Sequence, residues 1–453
     1  MTTPDSQLPT PRAITLAAIG AGLLLFATLA RGQAPHVYAI TNARIVTAAG
    51  APIENGTIVF RDGVIEQVGA GATPPPSARV YDGRGLRVYP GLIDMGNTAA
   101  VAAGAPPTTP PRTTEDAERA KRDLLLRPQL RAAAHLSVET PAMQKLVAAG
   151  VTAVLAVPPG AAVMGQSALV NTALPDDEPQ IGALADIRRG QPVLRAPVAL
   201  HIQVPERPPG GNAYPNSLMG MIAFIRQSFL DAQHYGRLQG GGRAPLDPAL
   251  EGLQPALAGR MPVVYRAETA REIDRALAMT AEFTLDTILA GAREADQFAA
   301  DLKARGVRVI FSLRYPERLK SLAPDADEPL RVLRERAAAP KAPAALEKAG
   351  ILFAFESGGL ENPEDFVRNA AAAVKAGLSA DAAVRALTIN AATIAGAAGL
   401  VGSLERGKIA NLIVTDGDLF GEKTAIKHVF VDGRPVRIEE VPAERNRRTN
   451  AQR

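Results

Sequence analysis

Several of the apolar runs in this chain end in ionisable residues, and those ends are where chemistry could be done. Asp94 closes Leu92-Ile93-Asp94. Arg266 and Glu268 follow Val263-Val264-Tyr265, and Glu356-Ser357 follow Phe353-Ala354-Phe355. Three carboxylates at such ends are hard oxygen donors of the kind that Mg2+ or Ca2+ takes, but a guanidinium among them repels a cation. Two readings of Arg266 follow. In one it sits among the carboxylates, pairs with Glu268 or Glu356 and keeps an acidic mouth neutral; in the other it points outward. Nitrogen and sulfur ligands are scarce, since the 453 residues include 5 His and no Cys. His36 and His428 fall in β-rich end segments and His135 in a polar helical stretch. His201 alternates on a strand-like run and reads as a core or edge residue before a ligand. His234 ends an amphipathic helix, where a surface or capping role is the ordinary one.

Elements must position these side chains. From 90 to 400, eight apolar runs recur with helical stretches after most of them: VYPGLID, VTAVLAVP, SALVNT, PVALHIQV, PVVYRA, FTLDTILAG, VRVIFSL and ILFAF. This rhythm predicts an α/β fold, a (β/α)8 TIM-like barrel with an insertion at about 205–260. The insertion holds a helix from Ser217 to Tyr235 with Leu218, Met219, Ile222, Ile225 and Phe229 at helical spacing. That stripe reads as core contact. The helix follows a Pro/Gly-rich loop and is expected to cover the barrel mouth, so that Arg226 or Asp231 lines a pocket. Gly165-Gln166-Ser167 reads as a tight turn and a second pocket element through Gln166, and Asn97 lies beside Asp94.

The chain ends read differently. Residues 35–89 and 401–440 alternate short β-rich runs with Asn55-Gly56, Asp62-Gly63, Asp82-Gly83 and Asp432-Gly433, pairs that favour tight hairpins. They predict one composite β-sandwich closed by both termini. Residues 1–34 contain the unbroken apolar and small-residue stretch Ile14–Ala30 and read as a signal peptide or, at the short edge of spanning length, an N-terminal anchor, which implies a periplasmic or secreted protein. Residues 441–453 form a basic tail, read as solvated. A net charge of +4 without Trp and with 7 Tyr and 12 Phe gives no nucleic-acid surface. Without Cys, there are no disulfides.

NARIVTAAG at 42–50, Pro90-Gly91-Leu92-Ile93-Asp94, Gly150-Val151-Thr152-Ala153 and ALTINAATIAGAAGLVGSLERGKIANLIVTDGD at 386–418 together resemble the metal-dependent amidohydrolase superfamily, of the imidazolonepropionase-like type. The resemblance spans most of 37–438. It implies Zn or another divalent metal held by His-x-His after the first strand, a carboxylated Lys, two later His and an Asp after strand eight. The metal would lower the pKa of a bound water and polarise a scissile carbonyl. Here Gly96 and Thr98 stand at the His-x-His places, with Met95 and Asn97 beside them. Arg266 and Ala290 stand at the later His places and Ser357 at the Asp place. None of the ten Lys lies on a barrel run, so no cofactor is expected. A secreted pseudoenzyme that binds a small molecule, a peptide, another copy of itself or an active amidohydrolase homologue is the favoured reading. A hydrolase of carbon–nitrogen bonds with an unconventional site and a structural envelope protein are the alternatives.

Overall fold

The computed structural model describes residues 36–102, 112–138, 140–173, 192–205, 213–239, 245–318, 321–323 and 325–437. The expected leader and the basic tail lie outside the described residues. No helix among the described residues is long and apolar enough to cross a membrane.

The two chain ends build one hydrogen-bonded sheet. Strands β1 (Val37–Ile45), β2 (Ile53–Arg61), β3 (Val64–Gly69), β4 (Arg79–Asp82) and β5 (Arg87–Pro90) are joined by the C-terminal strands through β5. Those later strands are Leu412–Thr415, Ile426–Val431 and Arg434–Val436, and the first of them runs antiparallel to β5. That sheet has eight strands. It curls back on itself: the Ile65 N–H donates to the Lys408 carbonyl and the Ile65 carbonyl receives the Gly407 N–H, so the far edge meets the segment leading into the C-terminal strands. Inside are Ile40, Ile58, Phe60, Val88, Leu412 and Phe430. Asp62-Gly63 and Asp432-Gly433 do turn hairpins, with Asp62 and Asp432 at positive φ. Asn55-Gly56 instead lies within β2, where the register to β1 shifts.

The remaining strands are β6 (Leu92–Asn97), β7 (Val151–Ala156), β8 (Ala162–Gln166), β9 (Ala168–Asn171), β10 (Val193–Arg195), β11 (Leu200–Gln203), β12 (Val263–Ala267), β13 (Thr287–Gly291), β14 (Arg308–Ser312) and β15 (Phe353–Glu356). One sheet runs β10-β9-β7-β6 and the other β15-β14-β13-β12-β11-β8. From β11 to β15 every neighbour pair is parallel, and helices fill the connections. The eight predicted runs all contain strands. The run SALVNT differs in direction, because β9 is antiparallel to β7 and β8 antiparallel to β11. Gly165-Gln166-Ser167 is accordingly no tight turn: the chain passes straight from β8 to β9, and Ser167 bonds through its N–H to Ala199 and receives Val198 N–H. No ladder joins β15 to β6. Across that seam the Ser357 N–H and Oγ donate to the two carboxylate oxygens of Asp94, both at 2.8 Å.

Alternation along these strands sorts side chains into two layers, since successive residues point to opposite faces. Ile93, Met95, Leu155, Met164, Val264 and Ile288 belong to an apolar cluster with Ala290, Ile310 and Ala354. Their strand neighbours Tyr265, Leu289, Val309, Phe311, Phe353 and Phe355 pack in a second cluster with the helices. Arg266 shares parity with Val264, Glu356 with Ala354 and His201 with the first cluster's Ala199. The first layer is apolar until the strands approach their C-terminal ends, where it turns polar.

The expected lid is a crossover. The helix Leu218–Gln239, followed by Pro248–Leu257, connects β11 to its parallel neighbour β12. It buries Met221, Ile225, Phe229, Ala232 and Tyr235, and Phe229 stacks at 5.1 Å on Phe283. Leu218 and Met219 of the predicted stripe are exposed. A helix that spends its apolar face on the strand-backing layer cannot also close the mouth.

Candidate functional site

Four charged side chains form a line at the C-terminal ends of β12, β13 and β15. Arg266 Nη2 donates to Glu356 Oε1 at 2.7 Å, and its Nη1 lies 3.4 Å from Glu268 Oε1; the other Glu268 oxygen is 2.6 Å from Arg293 Nη2. The signs alternate, so each charge has an opposite neighbour. Glu268 is held in place by the helix that follows it: Glu272 accepts from the Glu268 and Thr269 amides, closing a capping box at the start of Ala270–Glu282. Gly291, at φ +82, leaves room for the pair, since a Cβ there would lie 2.8 Å from Glu268 Cγ.

Gly96 comes closer still to the group than Gly291 does. A Cβ added to it would meet Glu356 Oε2 at 2.3 Å, well inside van der Waals contact. The carboxylate of Glu356 therefore lies where a side chain at residue 96 would begin. Asp94, fully buried, accepts from Gly96 N at 3.2 Å and Ser357 N at 2.8 Å on one oxygen, and from Ser357 Oγ at 2.8 Å and Asn97 Nδ2 at 3.3 Å on the other. Asn97 also accepts from the amides of Ala99 and Ala100, which fixes the loop.

Burial divides this group electrostatically. The Glu356 side chain is 1% exposed against 27% for Arg266, so the desolvation penalty falls on the acid. Burial pushes the Glu356 carboxyl up to about 7, with Arg266 pulling it down and Asp94 adding to the rise. Glu356 in turn holds the Arg266 guanidinium above its ordinary value, against burial. The two directions differ because a guanidinium stays charged throughout, while a buried carboxyl can take up a proton. His201, on β11, lines the same cavity. Burial, reinforced by the Arg266 charge, holds its imidazole down at about 3, so it is neutral near pH 7. Its Nε2 is buried without a hydrogen-bond partner.

The cavity holds ≈ 60 Å³ and is lined by Gly96, Thr98, His201, Gln203, Arg266 and Glu356 over an apolar floor that includes Met95 and Met164. At roughly 10–15 Å³ for one water-sized probe, it takes about four to six such groups. A drug-sized ligand needs several hundred Å³, which this cavity does not offer.

Of the residues expected at the site, the structure brings together Asp94, Asn97, His201, Arg266, Glu268, Glu356 and Ser357. Three lie elsewhere. Gln166 ends β8, which runs opposite to β11, and its Nε2 donates to Pro128 O at 2.9 Å. It lines a separate cavity of ≈ 270 Å³ with Arg131, Ser167 and Pro197. Arg226 makes an exposed pair with Glu282, and Asp231 accepts from Gln227 one helical turn away. Both point off the crossover helix toward solvent. Arg293 and Gly291 were missed by sequence reasoning: Arg293 lies beyond the run FTLDTILAG, and Gly291, which closes that run, carries no side chain to mark a role.

The metal centre implied by the resemblance does not fit these residues. Arg266 fills the space beside Glu356, all four contacts of Asp94 come from hydrogen-bond donors, and His201 is the one imidazole lining the cavity. Among the described residues, no group of three or more His, Asp or Glu converges in a way that could hold an ion.

Residues 272–436 match the Amidohydrolase family model. No curated protein sequence matches the chain. Among solved structures, an amidohydrolase from Thermotoga maritima MSB8 has 23% identity and a TM-score of 0.71, covering 88% of this chain and 99% of its own. A prolidase crystallised with N-methylphosphonate-L-proline has 18% identity and a TM-score of 0.52, covering 89% and 100%. The C-terminal part of the chain thus matches the Amidohydrolase family, and over most of its length the fold is similar to that of solved amidohydrolases.

Proposed function

We propose that this chain is an amidohydrolase-fold pseudoenzyme, a TIM-like barrel whose metal centre has been replaced by an internal ion pair and which acts by binding. One observation carries the reading: Glu356 lies against Gly96 and holds Arg266 at 2.7 Å, so a carboxylate and a guanidinium take up the room that a ligand side chain and a cation would need. A cation placed there would meet a fixed positive charge. The reading extends to a periplasmic or secreted location, on the strength of the apolar stretch Ile14–Ala30.

The chemistry left to the chain is recognition. A neutral imidazole, a guanidinium and a carboxyl that titrates near neutrality face a small cavity, and none is arranged as nucleophile and base: Ser357 Oγ is held by Asp94 at the seam and has no imidazole partner. Elemental mass spectrometry of the purified protein after exposure to Zn2+, Mn2+ and Mg2+, with hydrolysis of amide and dipeptide substrates followed in parallel, tests this. Substoichiometric metal and no turnover are expected. One metal per chain, or turnover abolished by Arg266→Met, overturns the reading.

A further inference from the structure

The cavity has an unsatisfied group. In folded proteins, nearly all buried polar atoms have a partner, and the exceptions call for an explanation. His201 is 6% exposed and its Nε2 is unpartnered. The same cavity wall carries Arg266, whose strong contact is the single 2.7 Å bond to Glu356, the bond to Glu268 being long at 3.4 Å. Neutral His201 with its proton on Nε2 is a donor, and so is Arg266. Both residues line one space of ≈ 60 Å³ whose floor is apolar. A planar anion with two oxygens and a short apolar tail matches both features, because a guanidinium fork fits a carboxylate.

We propose that the cavity binds a small monocarboxylate, of about the size of acetate, which takes the Arg266 guanidinium in exchange for Glu356 and accepts a hydrogen bond from His201. Glu356 acts as the resident competitor: it is a side-chain carboxylate held at the place a ligand carboxylate would occupy. Asp94 is no competitor, since its oxygens already receive four donors. The inference rests on the reading of this cavity as a binding site without turnover, and it names the ligand class.

Calorimetric titration with sodium acetate, with acetamide as a neutral molecule of similar shape, tests it on the full-length protein. Acetate is expected to bind with a dissociation constant on the order of millimolar, as its few atoms allow. Glu356→Gln, which keeps the side-chain shape over Gly96 but removes the competing charge, is expected to tighten acetate at least about tenfold. Arg266→Met is expected to abolish binding, and acetamide to bind neither protein measurably. Acetate that binds neither wild type nor Glu356→Gln overturns the proposal. So does equal affinity in the two proteins, or acetamide binding as well as acetate; these arms stand even if Arg266→Met does not fold. Metal in the protein would overturn the pseudoenzyme reading, whereas failure of acetate to bind metal-free protein overturns this inference alone.

Discussion

Gly96 and Glu356 exclude each other's alternatives: the carboxylate oxygen of one lies 2.3 Å from the point at which the other would carry a Cβ. The absence of a side chain at residue 96 and the position of the buried acid on β15 thus depend on each other. Gly96→Ala is expected to destabilise the fold by about 1–3 kcal/mol, as overpacking does. In a Glu356→Ala background the same change should cost much less, and a double-mutant cycle read by urea denaturation would show the difference as coupling. Additive effects would mean that the two side chains do not share this space.

Asp94 is expected to be the most sensitive polar position. Asp94→Ala strands two amides, a hydroxyl and an Asn side chain, and should cost on the order of 3–5 kcal/mol. Ser357→Ala, which removes one of the four contacts and leaves the amide bond, should cost about 1–3 kcal/mol. Equal losses in equilibrium unfolding would contradict the role given to Asp94.

Glu356 and His201 should impose opposite pH dependences on stability. The folded value of Glu356, about 7, lies above the 4.5 of the free group, so its contribution is complete below 4.5 and is lost as pH rises through 7. The folded value of His201, about 3, lies below 6.5, so its contribution is complete above 6.5 and is lost as pH falls toward 3. Between 4.5 and 6.5 the two slopes oppose. Glu356→Gln should therefore make stability climb more steeply with pH in that window, by up to about 1.4 kcal/mol per pH unit, and His201→Asn should tilt it the other way. Urea midpoints across the window check both signs; parallel curves for wild type and Glu356→Gln would refute the assignment.

Arg226 and Asp231 serve as surface controls. Their partners, Glu282 and Gln227, are exposed with them. Arg226→Ala and Asp231→Ala should leave acetate affinity as it is in wild type, and a loss of affinity in either would relocate the binding site.

Much of this was legible in the sequence because strands announce themselves by composition. The eight apolar runs between 90 and 400 all contain strands, and parity along two of them places Arg266 and Glu356 on one face. Strand direction left no such mark. Nothing in SALVNT distinguishes a parallel strand from an antiparallel one, so the reversal that carries Gln166 away from the Arg266 group went unread. The role of Leu218–Gln239 failed for a different reason. Its apolar stripe is correct as core contact at Ile225 and Phe229, but a Pro/Gly-rich entry suits a crossover as well as a lid. Arg293 and Gly291 act through proximity to Glu268, which periodicity does not encode.

The two sheets of the α/β region run into each other at Ser167, whereas at the other margin Asp94 and Ser357 meet through side-chain bonds without a ladder. At that second margin the two sheets are fastened as by a clasp. Parting them there would leave the backbone ladders within both sheets intact but strand the four donors of a buried carboxylate. Glu356 is the residue next to the clasp and lines the small cavity, so the bonds that fasten Ser357 to Asp94 also fix where the Glu356 carboxylate stands.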